Sequence, residues 1–183
     1  VKMIIRGKMP PAISVKDISL FLLKELSSEE VLNKAVEFGG EIIETMTVDG
    51  RMCLCDMAME MGAENCVIPP DGTTMDYLKE RVKTPLSAVF SDADAVYERE
   101  IEFDISTLEP QVACPPTTSN VKKVSEVEKV KIDQAFLGSC TNGRIEDLRI
   151  AARILKDEKV HPDVRLIITP ASQEIYLQAL KEG

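Results

Sequence analysis

Apolar residues recur along this chain with two periods, and the two periods alternate. Residues 1–5 form a short apolar run that reads as a strand, followed by a turn at Pro10 and Pro11. Ile18, Leu22 and Leu26 then repeat at helical spacing behind Ser14, and Asp17 three residues on completes a capping box. Ser27 and Glu30 repeat that signature and predict a second helix, stopped by Gly39 and Gly40. A third helix, apolar nearly all round and therefore read as buried, runs from about Gly50 to Met61 with Gly62 as its stop. Residues 66–68 read as a short buried strand ended by Pro69 and Pro70, and Thr73 or Thr74 caps a helix that runs through Leu78 to Val82.

From Ser91 to Pro110 the character changes. Seven acids face one base, Arg99, and Ile101, Phe103 and Ile105 alternate with Glu100, Glu102 and Asp104. That period of two predicts a strand with one wet face on the outside of a sheet. Pro110, Pro115 and Pro116, then a polar stretch over 117–129, mark a connection. A boundary near Pro110 divides the chain into 1–109 and 110–183. The remainder reads as strand (134–137), helix (143–155), strand (164–168) and helix (172–181). This βαβα run implies parallel strands joined by a right-handed crossover. The fold class is α/β.

Composition narrows the function. The 183 residues, 44% of them apolar, suffice for one large or two small domains with a real core. A net charge of −9 argues against nucleic acid or an anionic membrane surface as a partner. No apolar run approaches the roughly eighteen residues of a spanning helix. The five cysteines form no paired framework, so a reducing, cytoplasmic setting is expected. A single histidine, His161, leaves little room for histidine-based metal or triad chemistry. The chain opens on Val1 inside an apolar run and closes on Gly183, which reads as a segment of something larger.

The sharpest candidate for chemistry is Leu137-Gly138-Ser139-Cys140-Thr141-Asn142-Gly143-Arg144. It lies between an expected buried strand and an amphipathic helix with Ile145, Leu148, Ile150, Ala151, Ile154 and Leu155 on its apolar side. Asn142 is the candidate N-cap. Such a bend presents Cys140 at the carboxyl end of a strand, where open α/β sheets bind ligands. The nearby helix N-terminus favours a thiolate there, by about 0.3–1 kcal/mol. Three readings follow, beside the simplest one of an inert buried cysteine. A nucleophile would have only His161 as base. A phosphate cradle would lack the Gly-Lys-Ser/Thr ending of a P-loop. A metal ligand would need companions, and Cys53 and Cys55, two apart on a helix, diverge. Arg144 reads equally as a holder of a carboxylate or as an exposed first-turn arginine.

Residues 138–144, followed by Glu146-Asp147-Leu148, closely resemble the cluster-cysteine motif of the aconitase superfamily, in its isopropylmalate dehydratase and homoaconitase large-subunit branch. Further landmarks stand in family order: Gly7-Lys8-Met9-Pro10-Pro11, Val48-Asp49-Gly50-Arg51-Met52, Leu108-Glu109-Pro110-Gln111-Val112-Ala113 and Pro170-Ala171-Ser172. The resemblance implies three-layer α/β/α units, with 1–109 as the second domain and 110–183 as the start of the third. It implies a [4Fe–4S] hydro-lyase that moves water across a hydroxy acid, isopropylmalate foremost, with homoaconitase as the nearest alternative. A cluster-free module binding a small molecule or phosphate is the alternative from another class.

Within that resemblance Cys140 is the first of three cluster ligands, the other two forming a Cys-x-x-Cys pair farther along the family sequence. The cluster is therefore expected in the complete protein and not on this segment. A separate small subunit is the expected partner. Glu60 matches the family's active-site glutamate near the open iron. Asp56 stands where the family carries asparagine, and Asp56 and Asn142 are the expected cofactor-binding residues. The residues themselves point the same way, because Asp56 and Glu60 lie four apart on one face of an otherwise apolar helix. Like charges so placed cost about 0.2–0.5 kcal/mol even when exposed. Cys53, Cys55, Cys66 and Cys114 are expected to be packing cysteines.

Overall fold

The computed structural model describes residues 1–26 and 28–183, so Ser27, the expected cap of the second helix, lies outside the described residues. In chain order the elements are β1 (Lys2–Arg6), α1 (Val15–Glu25), α2 (Ser28–Val31), β2 (Ala35–Gly39), α3 (Glu41–Thr45), α4 (Val48–Glu60), β3 (Asn65–Val67) and α5 (Gly72–Lys79). They continue as β4 (Glu100–Asp104), β5 (Gln111–Ala113), β6 (Val121–Lys123), β7 (Gln134–Gly138), α6 (Ser139–Asn142), α7 (Ile145–Leu155), β8 (Arg165–Thr169) and α8 (Gln173–Glu182). No helix among the described residues is long and apolar enough to cross a membrane.

Two compact units divide the chain, Val1–Glu126 and Val127–Gly183. The first is built on a parallel sheet in the order β3-β2-β1-β4. Met3 and Ile5 of β1 are fully buried, as are Ile18 and Leu22 of α1, Phe38 of β2 and Leu54 of α4. Ser14 opens α1 as the pattern predicts: its backbone N–H and its hydroxyl both donate to Asp17 Oδ2, at 2.8 and 2.7 Å. The outer position of β4 and its wet acidic face also match the period-two reading.

Three expectations for this unit need correction. The helix expected to run on to Gly39 is a single turn, α2, followed by the strand β2. Val36 and Phe38 are buried while Glu37 between them is not, and β1 and β3 claim the backbone on either side. Pairing in the sheet therefore overrides the capping signal upstream. β3 lies at the sheet edge with Val67 half exposed at 49%, so the strand expected to be buried is not. The cap of α5 is Asp71, whose Oδ1 accepts the Thr74 N–H at 3.0 Å, in place of Thr73 or Thr74.

The first unit also runs past Pro110. β5 and β6 form an antiparallel hairpin that folds back on α1, with the Gln111 N–H donating to Asp17 Oδ1 at 2.8 Å and Val121 buried. Those contacts hold the stretch expected to begin a second domain, and the unit closes at Glu126.

The second unit pairs β7 and β8 in parallel, joined by α6 and α7 and followed by α8, the predicted βαβα order. β7 is not the buried strand expected from its apolar residues, since Phe136 is 56% exposed. Ile154 of α7 and Leu180 of α8 are 70% and 62% exposed. Among the unit's described residues only Gly143 is buried. Two strands and three helices offer too little surface to cover these faces from within.

Candidate active site

Cys140 is reached through an abrupt change of backbone direction. β7 ends at Gly138, paired with Thr169 of β8, and α6 begins at the next residue. Gly138 has φ +112°, and a Cβ there would stand 2.1 Å from the Thr169 carbonyl oxygen. Only glycine fits such a position. Ser139 follows at φ +75°, a conformation that costs a residue with a side chain on the order of 1 kcal/mol. Gly143 closes the bend. A Cβ on it would meet the Ser139 carbonyl oxygen at 2.6 Å and the Ala171 nitrogen at 2.7 Å, and the Ala171 N–H donates to the Gly143 carbonyl at 2.8 Å. The bend is thus clamped to the segment following β8. It leaves Cys140 exposed in this span, as are most residues of the unit.

Asn142 does not cap α7. It lies in α6, and the N-cap is Arg144. Capping comes instead from Asp147, which reaches back so that Oδ2 accepts the Arg144 N–H at 3.1 Å and Oδ1 accepts from Asn142 Nδ2 at 3.3 Å. A carboxylate in the first turn of a helix also lies at the favourable end of its dipole. One side chain thereby starts the helix and holds the residue two after Cys140. The Arg144 Nε is buried and has no hydrogen-bond partner among the described residues, so an N–H donor remains unused close to the bend.

The other pair of predicted residues belongs to the first unit. Asp56 and Glu60 both lie on an exposed strip of α4 that also includes Met59. The expectation of a helix buried all round is therefore wrong on this side, while Cys53, Leu54, Met57 and Ala58 fill the core on the other. Glu60 is the last residue of α4, and the last turn carries no base. A carboxylate there opposes the negative end of the helix dipole, at about 0.3–1 kcal/mol.

α4 is anchored by a residue whose role the sequence reading missed. Arg51 is buried, donates to both carboxylate oxygens of Asp71 at 2.7 and 2.6 Å, and reaches Thr74 Oγ1 at 2.9 Å. The guanidinium hydrogen bonds, together with the Thr74 N–H, hold the Asp71 carboxyl well below the usual carboxylate range. An arginine on an apolar helix was the available signal, since such a residue needs a partner.

The chemistry of the bend can be set against an iron–sulfur cluster directly. Cys140 supplies one exposed sulfur donor. Among the described residues no group of three or more histidine, cysteine, aspartate or glutamate side chains converges to hold a metal. The residues fit one corner of a cluster, whose irons take several cysteine thiolates.

The sequence model of the aconitase family (aconitate hydratase) matches residues 1–129 and 117–183. The chain belongs to the aconitase family. Its α/β architecture with a parallel sheet agrees with the three-layer α/β/α units of that family. Among its aconitase-family relatives is 3-isopropylmalate dehydratase large subunit 1 of Methanopyrus kandleri, 49% identical over 98% of this chain and 43% of that protein. The 3-isopropylmalate dehydratase large subunit of Halothermothrix orenii is 46% identical over 100% of this chain and 44% of its own length. A Methanothermobacter thermautotrophicus protein named "Probable methanogen homoaconitase large subunit" is 47% identical over 98% of this chain and 42% of its own. The chain spans less than half the length of these curated relatives.

Proposed function

We propose that this chain is part of the catalytic large subunit of a [4Fe–4S] hydro-lyase that interconverts 2- and 3-isopropylmalate by dehydration and rehydration in leucine biosynthesis. One observation carries the reading: the family's glycine-flanked motif holds an exposed Cys140 at the carboxyl end of β7. The relatives' names supply the reaction, and "large subunit" in those names supports a separate small subunit as partner. In this reading the enzyme works in the cytoplasm, the setting expected from five cysteines with no paired framework in the sequence.

In this reading Cys140 gives its thiolate to the cluster, and the remaining cysteine ligands come from the part of the large subunit that the relatives carry beyond this span. When bound, the cluster supplies a Lewis-acidic iron for the hydroxyl and carboxylate of the hydroxy acid. Asp147 keeps Asn142 and the start of α7 in place, so that the bend carries its sulfur in one orientation. Asn142 and Asp56 serve as polar groups toward the cofactor. Glu60 handles the proton: its carboxylate takes one from the carbon adjacent to the one that bears the hydroxyl, while the C–O bond breaks and the hydroxyl leaves with a proton from solvent as water. On rehydration it returns a proton to carbon, or orients the water that adds.

Homoaconitase is level on identity, at 47% against 45–49% for the dehydratases, so substrate is decided by assay. The test is anaerobic reconstitution of the complete large subunit with its small subunit, assayed on isopropylmalate, homocitrate or homoaconitate, and citrate. Turnover of isopropylmalate above the others is expected. Preference for homoaconitate would reassign the substrate, and no hydro-lyase activity on any of them would overturn the proposal.

A further inference from the structure

The thiols of Cys55 on α4 and Cys66 on β3 lie 3.4 Å apart, with the Cys66 S–H donating to the Cys55 sulfur. Both are half-buried, and neither belongs to the site described above. A short, well-bonded connection holds them there. The Ala63 N–H donates to the Ala58 carbonyl at 3.1 Å, the Gly62 N–H to that of Met59 at 3.0 Å, and the Glu64 N–H to that of Lys34 at 2.9 Å. The separation exceeds a disulfide bond of about 2.05 Å by roughly 1.4 Å, the distance the two sulfurs must close to bond.

We infer that Cys55 and Cys66 form a reversible disulfide, made by a peroxide and undone by a thiol reductant, which ties the second half of α4 to the edge strand β3. In the first step the Cys55 thiolate attacks one peroxide oxygen. The O–O bond breaks, hydroxide leaves and takes up the proton that Cys55 released, and Cys55 becomes a sulfenic acid. In the second step the Cys66 sulfur attacks the Cys55 sulfur, the S–O bond breaks, and the departing hydroxide takes up the Cys66 proton. Two thiols and one hydrogen peroxide give one disulfide and two waters, and the peroxide is the two-electron acceptor. The hydrogen bond sets the order of attack. Donation from Cys66 lowers the pKa of Cys55 against the effect of burial, and the same bond, with burial, raises that of Cys66. The cross-link would act on the helix that carries Asp56 and Glu60, yet its chemistry stands whether or not the proposed reaction does.

The reduced 183-residue chain, treated with equimolar hydrogen peroxide and alkylated, tests this by non-reducing digestion with a glutamate-specific protease and mass spectrometry. Such a protease cuts between the two cysteines, after Glu60 and Glu64. The expected product is the pair of peptides joined through Cys55 and Cys66, with a mass lower by two hydrogens than the free pair. Dithiothreitol should separate them and restore both alkylation sites. Cys55→Ser and Cys66→Ser should each lose the cross-link and leave the remaining partner open to alkylation. Full alkylation of both thiols in the treated wild-type chain, or either one carried to a sulfinic acid without a cross-link, would overturn the inference. So would a disulfide that instead joins one of them to Cys53 or Cys140.

Discussion

Gly138 and Thr169 approach so closely across the β7–β8 pair that a Cβ on the glycine would stand 2.1 Å from the threonine carbonyl oxygen. At φ +112° the position is strained for any side chain in addition. Gly138→Ala should therefore destabilise the second unit by at least about 2 kcal/mol, since backbone strain alone accounts for roughly 1–3 kcal/mol. Urea titration of the chain, followed by amide hydrogen exchange resolved over 127–183, measures it. Unchanged protection there would show that the bend tolerates a side chain and does not fix the position of Cys140.

Asp147 fills the capping role that the sequence suggested for Asn142. Asp147→Ala should cost about 1 kcal/mol of stability and raise exchange in the first turn of α7. Asp147→Asn keeps an acceptor oxygen and should recover most of that loss. An alanine variant as stable as wild type would remove the cap.

The Arg51–Asp71 pair predicts a dependence on pH. The folded-state pKa of Asp71 lies below its unfolded value, so its contribution is fully present above the unfolded pKa of about 3.9 and is lost as pH falls toward the folded value. Stability of the wild-type chain should drop below about pH 4 more steeply than that of Asp71→Asn. At neutral pH that variant should be weaker by about 2 kcal/mol, because a buried guanidinium loses a charged acceptor. Parallel stability profiles for the two proteins would contradict the pairing.

Glu60 is placed badly for its helix, at the negative end of α4 and four residues from Asp56. Glu60→Gln should leave the chain as stable as wild type or a few tenths of a kcal/mol more so. In the complete reconstituted enzyme it should lower turnover on the order of a hundredfold or more with the cluster absorbance retained. Wild-type turnover would take Glu60 out of the reaction.

The sequence disclosed most where a local rule and the tertiary environment agreed. Ser14 and Asp17 cap α1, the acidic positions of β4 face water, and the βαβα order of the second unit follows from its periods. It misled where longer-range pairing won. Residues 35–39 follow a helix-capping signature, yet they form a strand because β1 and β3 lie on both sides. Asn142 has the right side chain for a cap, but Asp147 does the work from inside the helix. Arg51 and Asp71 lie on either side of the strand β3, and Cys55 and Cys66 belong to consecutive elements of different type, so no single periodicity links either pair. Cys140 shows the division most sharply. Spacing alone reads it as an inert core cysteine and the family motif reads it as a ligand; the bend places it exposed at the end of β7, and its role is left to the test below.

The central claim is that the Cys140 sulfur holds a cluster, and Cys140→Ser in the complete large subunit tests it most directly. After anaerobic reconstitution alongside wild type, the variant should show no 4Fe-type visible absorbance, and with the small subunit it should show no dehydratase activity. A variant that binds the cluster and turns over isopropylmalate like wild type would contradict the account.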